Sequence, residues 1–134
     1  MLGKTKLTGG DKVYRSMMQV FTKDSEQALE FYRKAFEATV LCDHRHENGT
    51  VAHAELDIFG QVFAICEIQE NEVNPGNTMQ FCLHLGEGKQ EVLNKAYDVL
   101  KDGAKIHYPL GPCDWSKLMV GLIDKYGINW CIFE

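Results

Sequence analysis

Two segments of the chain decide the fold: Asp57-Ile-Phe-Gly-Gln-Val-Phe-Ala-Ile-Cys-Glu67 and Asp124-Lys-Tyr-Gly-Ile-Asn-Trp-Cys-Ile-Phe-Glu134. Both begin with aspartate, continue through an aromatic-glycine pair, and end in an apolar run closed by glutamate. Every matched pair of residues is separated by the same number of positions. An apolar run that follows a glycine turn is typical of a β-strand. The match therefore indicates an internal duplication whose copies each end in a strand.

The chain before the first of these segments predicts the rest of one unit. Residues 13–21 have the apolar density of a strand, and the next helix is expected to begin with Asp24 as N-cap and Gln27 at the third helical position. Thr39–His44 and Thr50–Ile58 flank Asn48-Gly49, a pair that favours a type I′ hairpin turn. Gln61–Ile68 is the last strand. The helix is amphipathic because its apolar residues recur at helical spacing: Ala28, Leu29, Phe31, Tyr32, Ala35 and Phe36.

The second half of the chain repeats this order after a linker at residues 70–77, which contains Asn-Pro-Gly. Strands are predicted at residues 78–85, 104–110, 118–123 and 128–133, and a helix at residues 89–101. We therefore predict an α+β fold made of two βαβββ modules in a single domain, residues 13–134. Module one covers residues 13–69, module two covers residues 78–134, and residues 1–12 are expected to form a mobile tail.

Composition excludes several classes of function. The 134 residues include 14 basic and 19 acidic side chains, and no basic run offers a surface for a phosphate backbone, so nucleic acid is not an expected partner. No apolar run approaches the ~20 residues of a membrane-spanning helix, and the first ten residues lack the apolar core of a signal peptide. Five cysteines without a Cys-x-x-Cys pair suit a reducing compartment. We expect a cytoplasmic protein that does not bind membranes.

Three motifs resemble the vicinal oxygen chelate superfamily of glyoxalases, bleomycin-resistance proteins and extradiol dioxygenases. They are Ala28-Leu-Glu-Phe-Tyr32 with Ala35-Phe36, the strand His53-Ala-Glu-Leu56, and a closing series of Pro109-Leu110, Trp115 and Asp124-Lys-Tyr-Gly-Ile-Asn-Trp130. The series is most similar to the PhnB-like branch, also labelled 3-demethylubiquinone methyltransferase-like. The resemblance covers about residues 13–134. No glycine-rich nucleotide loop supports the methyltransferase label.

The resemblance implies an eight-stranded cupped mixed sheet with two helices on its outer face and a ligand site on its concave face. It also implies a homodimer, because many members of the superfamily form one. Active members bind a divalent metal with residues from the first and last strand of each module. By position these places fall on Met17, Ala64, Gln80 and Cys131. One amide and one thiol among four positions make a poor ligand set, so we predict neither the usual metal site nor a cofactor.

Strand alternation offers candidate ligand-binding residues in module one. His53, Glu55 and Asp57 share one face of their strand, while Ala52, Ala54, Leu56 and Ile58 share the other. An imidazole two residues from a carboxylate could contact a ligand, hold a metal in a rearranged site, or lie on a solvated face. Asp57 and Asp124 precede glycine turns, where aspartate bonds to the local backbone, so we interpret both as turn-forming.

The remaining candidates lie on other strands and in a loop. Gln80, Cys82 and His84 share a strand face, and Trp115 lies in the Gly111–Ser116 loop, where it could stack on a ligand or pack on its own domain. Trp130 is interpreted as helix-facing core because Phe63 is its repeat partner. The predicted ligand-binding set is Met17, Gln19, Phe21, His53, Glu55, Gln80, Cys82, His84 and Trp115.

Three functions are compatible with these observations. The first is a small-molecule-binding protein without the usual metal site. The second is a metal-dependent lyase or dioxygenase-type enzyme with a displaced site that uses His53, Glu55 and Gln80 or His84. The third is a sheet that serves mainly for dimerisation, which predicts that the cup is filled. The sequence does not identify the ligand.

Overall fold

Eight strands and two helices follow the order predicted from the sequence. The computed structural model describes residues 13–134, and the predicted tail at residues 1–12 lies outside the described residues. Module one contains β1 Met18–Thr22, α1 Ser25–Ala35, β2 Thr39–Arg45, β3 Val51–Ile58 and β4 Gln61–Glu67. Module two contains β5 Phe81–His84, α2 Gln90–Leu100, β6 Lys105–Cys113, β7 Ser116–Ile123 and β8 Asn129–Phe133. The α+β class and the duplication of the βαβββ unit are confirmed.

Each module folds into a four-stranded mixed sheet with the same strand order. The first sheet has the order β1-β4-β3-β2 and the second has the order β5-β8-β7-β6. β1 is parallel to β4 and β5 is parallel to β8, whereas the other pairs are antiparallel. Among the described residues, the hydrogen bonds form two four-stranded sheets rather than one continuous sheet of eight strands.

The aspartate-glycine turns before β4 and β8 have the local structure that the repeat predicted. Gly60 and Gly127 adopt φ values of +84° and +86°, which glycine reaches without the steric cost of a side chain. Asp57 Oδ1 accepts a hydrogen bond from Gly60 N at 2.7 Å. Asp124 Oδ1 accepts bonds from Tyr126 N and Ile128 N. Both aspartates are therefore turn-forming, as the sequence indicated.

The predicted capping box at the start of α1 is wrong. Asp24 is the N-cap residue but has φ +50° and its side chain makes no capping hydrogen bond. Instead, Glu67 at the end of β4 accepts a hydrogen bond from Ser25 N at 3.0 Å. A carboxylate from a neighbouring strand thus satisfies a free amide of the first turn, where negative charge is also favoured by the helix dipole.

The β2–β3 hairpin is confirmed, but its turn is not type I′. A type I′ turn needs positive φ at both central residues, and among Asn48 and Gly49 only Gly49 has it, at +89°. His46 O accepts a hydrogen bond from Gly49 N, and Thr50 O accepts one from His46 N. The turn is therefore one residue wider than a two-residue loop.

One core joins the two modules. Tyr32 and Phe36 of α1 contact Trp130 of β8, and the rings of Phe63 in β4 and Trp130 lie 5.5 Å apart. Trp130 is fully buried, as predicted for a helix-facing residue. In a continuous sheet, β1 and β5 would lie between β4 and β8 and would hold these two strands about 14 Å apart, which is three strand spacings of about 4.8 Å. The contact between the Phe63 and Trp130 rings is too close for that side-by-side arrangement. The helix-facing sides of the sheets therefore face each other.

The opposite sides of the two sheets are consequently directed away from each other, and we call them the open faces. Strand alternation places Gln19, His53 and Glu55 on the open face of the first sheet. Gln80, Cys82 and His84 follow the same alternation on the second sheet. No helix of the described residues is long and apolar enough to span a bilayer.

Candidate functional site

A cluster of charged and polar side chains lies on the open face of the first sheet. Glu55 in β3 accepts two hydrogen bonds from the guanidinium of Arg15, at 3.0 and 2.9 Å. Glu55 Oε2 also lies 2.8 Å from His53 Nε2, two residues earlier on the same strand. The Arg15 guanidinium, followed by the His53 imidazole, lowers the pKa of Glu55 to about 2. Glu55 is therefore a carboxylate at neutral pH, although its side chain is only 9% exposed.

Two cysteines complete this cluster, which we call the polar half-site. Cys42 in β2 pairs with Glu55 across the antiparallel ladder. Cys66 in β4 places its Sγ 3.7 Å from His53 Nδ1. Burial raises the pKa of the Cys66 thiol, so it stays protonated and is a poor nucleophile. The polar half-site therefore offers a fixed carboxylate, an imidazole and a guanidinium to a ligand, and no activated thiol at Cys66.

Aromatic side chains dominate the corresponding part of the second sheet. The rings of His84 in β5 and Phe133 in β8 stack with centroids 4.5 Å apart and an interplanar angle of 19°. The Trp115 ring meets Phe133 at an interplanar angle of 85°, with centroids 4.7 Å apart. Trp115 is 59% exposed, so much of the indole surface is free to contact a ligand. We call His84, Phe133 and Trp115 the aromatic half-site.

Trp115 lies in a tighter loop than the sequence indicated. β6 extends to Cys113 and β7 begins at Ser116, and these two residues pair in the ladder. Asp114 and Trp115 are thus the only residues between the strands. Trp115 is held at the tip of a hairpin, where it packs partly on its own domain through Phe133 and remains partly free.

Gln80 and Cys82 belong to the open face of the second sheet. Gln80 Nε2 donates a hydrogen bond to Asn129 Oδ1 at 3.1 Å. Cys82 is exposed and pairs with Cys131 in the parallel ladder of β5 and β8. Burial, together with the neighbouring Cys82, raises the pKa of Cys131 to about 11. At neutral pH, Cys131 is therefore a thiol rather than a thiolate.

A groove of about 480 Å³ runs between β1 and β5, at the junction of the modules. Gln19, Phe21 and Gln80, three of the predicted ligand-binding residues, line it together. The linker contributes Val73 and Pro75, and Met79, just before β5, also lines the groove. Met17 lies one residue before β1 and is partly buried. His53, Glu55, Cys82 and His84 are absent from the lining of this groove.

The four positions at which the family places a metal do not suit one here. Ala64 has no donor atom, and Met17 offers only a weak thioether. The Gln80 amide is hydrogen-bonded to Asn129, and Cys131 is held as a neutral thiol. A divalent metal needs deprotonated or strongly donating ligands. This donor set therefore supports no chemistry through a metal at those positions.

The sequence did not reveal several residues of the two half-sites. Arg15 lies in an irregular segment before β1, so no periodic pattern placed it near Glu55. A register shift between Val40 and Cys42 brings Cys42 opposite Glu55. Such β-bulges have no clear sequence motif. Phe133 could have been found, since strand alternation places it on the same face as Cys131.

The fold agrees with that of a known family. The model of the glyoxalase/bleomycin resistance protein/dioxygenase superfamily matches residues 15–132, and the chain belongs to this superfamily. Within it, the chain is similar to a PhnB protein from Bacillus cereus, with 25% identity and a TM-score of 0.72 over 89% of this chain and 98% of that one. The resemblance to the PhnB-like branch is thereby confirmed.

Other solved structures share the fold at lower identity. The fosfomycin resistance protein FosX from Listeria monocytogenes matches with 11% identity and a TM-score of 0.66, covering 92% of this chain and 93% of that one. TioX from Micromonospora sp. ML1 matches with 21% identity and a TM-score of 0.60, covering 88% and 97%. No curated protein sequence matches the chain. At these identities the likeness concerns the fold alone.

Proposed function

We propose that this protein is a small-molecule-binding protein that acts as a homodimer. In this proposal, the polar half-site of one copy and the aromatic half-site of another form each ligand cup. The observation that carries the proposal is the contact between Phe63 and Trp130, from which the orientation of the open faces follows. They bear two unlike, partly exposed half-sites, and they are directed away from each other within one chain.

The edges of the sheets support a second copy as the partner. β1 pairs only with β4 and β5 pairs only with β8, so each has a free edge among the described residues. Phe21 on β1 is 53% exposed, and Met79, just before β5, is 75% exposed. Free strand edges beside exposed apolar side chains favour association with another sheet. If β1 of one copy lies along β5 of the other, a twofold dimer has two equivalent composite cups.

The side chains indicate the class of ligand. Trp115 and His84 suit a flat aromatic or unsaturated group, because stacked rings gain dispersion and quadrupole energy. Arg15 has guanidinium N–H groups beyond the two that bond Glu55, and these can donate to oxygen atoms of the same molecule, while the partly exposed His53 ring offers it a polar contact surface. We therefore expect a small molecule with one planar apolar part and one oxygen-rich polar part. The methyltransferase activity named for the PhnB protein from Bacillus cereus is not part of this proposal.

Two other functions remain as alternatives. A divalent-metal-dependent lyase or dioxygenase-type enzyme with a displaced metal site is favoured by the 2.8 Å separation of His53 Nε2 and Glu55 Oε2. A pure dimerisation scaffold predicts that the partner fills both half-sites. The first requires a bound metal for activity, and the second predicts no ligand binding.

A fluorescence titration separates the binding protein from the scaffold. The probe is 1-anilinonaphthalene-8-sulfonate, a flat aromatic anion, added to protein that has been treated with a chelator. We expect saturable binding with one probe per chain. Trp115→Ala and His53→Ala should each weaken binding about tenfold, because each removes a contact worth about 1.4 kcal/mol.

The matched control is Tyr97→Leu, an aromatic residue on α2 that belongs to the helix-covered side of the second sheet. This variant should bind the probe as wild type does. Binding that never saturates, or that falls equally in all three variants, would contradict the proposal and favour the scaffold.

A further inference from the structure

Three potential metal ligands converge in the polar half-site at positions other than those used by the family. They are the Cys42 thiol, the His53 imidazole and the Glu55 carboxylate, whose nearest ligand atoms all lie within 4.8 Å of one another. We propose that these three residues form a binding site for Zn²⁺. This inference goes beyond the proposed function, which requires no metal.

The distances suit a tetrahedral ion. Zn²⁺ binds nitrogen and oxygen at about 2.0 Å and sulfur at about 2.3 Å, so neighbouring ligand atoms lie roughly 3.3–3.6 Å apart. His53 Nε2 and Glu55 Oε2 are closer than this, at 2.8 Å, because they are hydrogen-bonded to each other. The cysteine sulfur lies within the 4.8 Å limit of both. Small side-chain rotations therefore bring all three donors to bonding distance.

Two neighbouring strands hold the three ligands, which limits how far the site can deform. His53 and Glu55 lie two residues apart on β3, on the same face. Cys42 lies directly opposite Glu55 on β2. Ligands on rigid strands lose little entropy when the metal binds. His53 and Cys42 are partly exposed, which leaves a fourth position open to water, as in zinc sites with three protein ligands.

The guanidinium of Arg15 is a positive charge that already lies at this site. Glu55 is nearly buried, and the Arg15 guanidinium pairs with its carboxyl group through two hydrogen bonds. Arg15 is 46% exposed and lies in an irregular segment, so it can leave the carboxylate without disturbing a strand. A thiolate and a carboxylate together would balance the charge of Zn²⁺. Metal and Arg15 thus compete for the same carboxylate.

Cobalt substitution tests the site because thiolate ligation has its own optical signature. Co²⁺ added to the chelator-treated protein should give a thiolate-to-cobalt charge-transfer band in the near ultraviolet, and Zn²⁺ should abolish it by displacement. Cys42→Ser should remove this band and weaken Zn²⁺ binding by about tenfold or more. Cys82→Ser and Cys113→Ser are matched controls from the second sheet and should retain the band.

Competition with Arg15 predicts a second change in Zn²⁺ affinity, opposite in sign to that of Cys42→Ser. Arg15→Gln removes a positive charge beside the carboxylate, so Zn²⁺ affinity should rise about tenfold. A folding defect would lower affinity and could not produce this gain. No cobalt band in wild type, or a band that survives Cys42→Ser, would overturn the proposal. The titration with the aromatic probe is carried out without metal, so the two proposals can fail separately.

Discussion

Asp57 and Asp124 occupy the same place in the two copies of the repeat, yet their surroundings differ. Asp57 is exposed and accepts a bond from Gly60 N. Asp124 is 3% exposed, and its Oδ2 accepts hydrogen bonds from the Tyr32 hydroxyl at 2.6 Å and from Trp130 Nε1 at 2.8 Å. The first aspartate forms a turn, whereas the second also joins α1 of module one to β8 of module two.

The contrast shows where the two copies of the duplicated unit have diverged. The local role of each aspartate side chain, which is to accept backbone hydrogen bonds within its own turn, is common to both modules. The additional hydrogen bonds of Asp124, to Tyr32 and Trp130, form only because α1 packs on the second sheet. Burial raises the pKa of Asp124 and outweighs the four hydrogen bonds that lower it, and the Tyr32 pKa is raised well above its usual value by the same burial.

The open faces diverge in the same way. Ala64 and Cys131 are repeat partners, but the first sheet carries the Glu55 cluster and the second sheet carries stacked aromatic rings. Two identical faces would give a symmetric cup with one kind of contact. In the proposed dimer, two unlike faces would instead supply a polar and an apolar wall, as a small molecule with two chemical ends requires.

The largest expected effect is at Asp124. Asp124→Ala should lower the free energy of unfolding by about 3 kcal/mol, because it leaves the buried hydroxyl of Tyr32 and the indole NH of Trp130 without their acceptor. Asp57→Ala should lower it by about 1 kcal/mol or less, since only one exposed turn bond is lost. Urea denaturation of both variants measures the two values. Equal losses would show that the modules do not depend on this buried link.

Removing the carboxylates that cap the two helices should lower the free energy of unfolding by an intermediate amount, similar in the two modules. Glu134 accepts hydrogen bonds from Gly88 N, Lys89 N and Gln90 Nε2 at the start of α2, and Glu67 accepts one from Ser25 N at the start of α1. Glu134→Ala should cost about 1–2 kcal/mol and Glu67→Ala about 1 kcal/mol in the same denaturation experiment. A larger loss of stability in Glu67→Ala than in Glu134→Ala would contradict this expectation, because Glu134 accepts three hydrogen bonds and Glu67 accepts one.

The smallest expected effect is the pH dependence of Glu55. Its folded-state pKa of about 2 lies below its usual value of 4.5, so the ionised group stabilises the fold above pH 4.5. This contribution is lost as the pH falls from 4.5 toward about 2. Glu55→Gln should therefore melt at a lower temperature than wild type at pH 7, and the gap should close in acid. Glu72→Gln, at an exposed linker position, is the control and should show no such convergence.

The repeat and the strand patterns predicted the architecture because they are local. The glycine turns, the helix-facing Trp130 and the shared face of His53 and Glu55 all follow from spacing along the chain. Features that depend on distant contacts were not accessible in this way. Glu67 caps α1 from another strand, Arg15 reaches Glu55 from an irregular segment, and Trp115 meets His84 only through Phe133. The orientation of the two sheets also required coordinates.

Mixing two defective variants tests the composite cup most directly. His53→Ala damages one half-site and Trp115→Ala damages the other, so neither homodimer contains an intact cup. Random exchange makes half of the dimers mixed, and each mixed dimer has one intact cup, which restores about a quarter of the wild-type sites. We expect this recovery of high-affinity probe binding after the subunits are exchanged. No recovery in a mixture whose mixed dimers are verified by native mass spectrometry would contradict it.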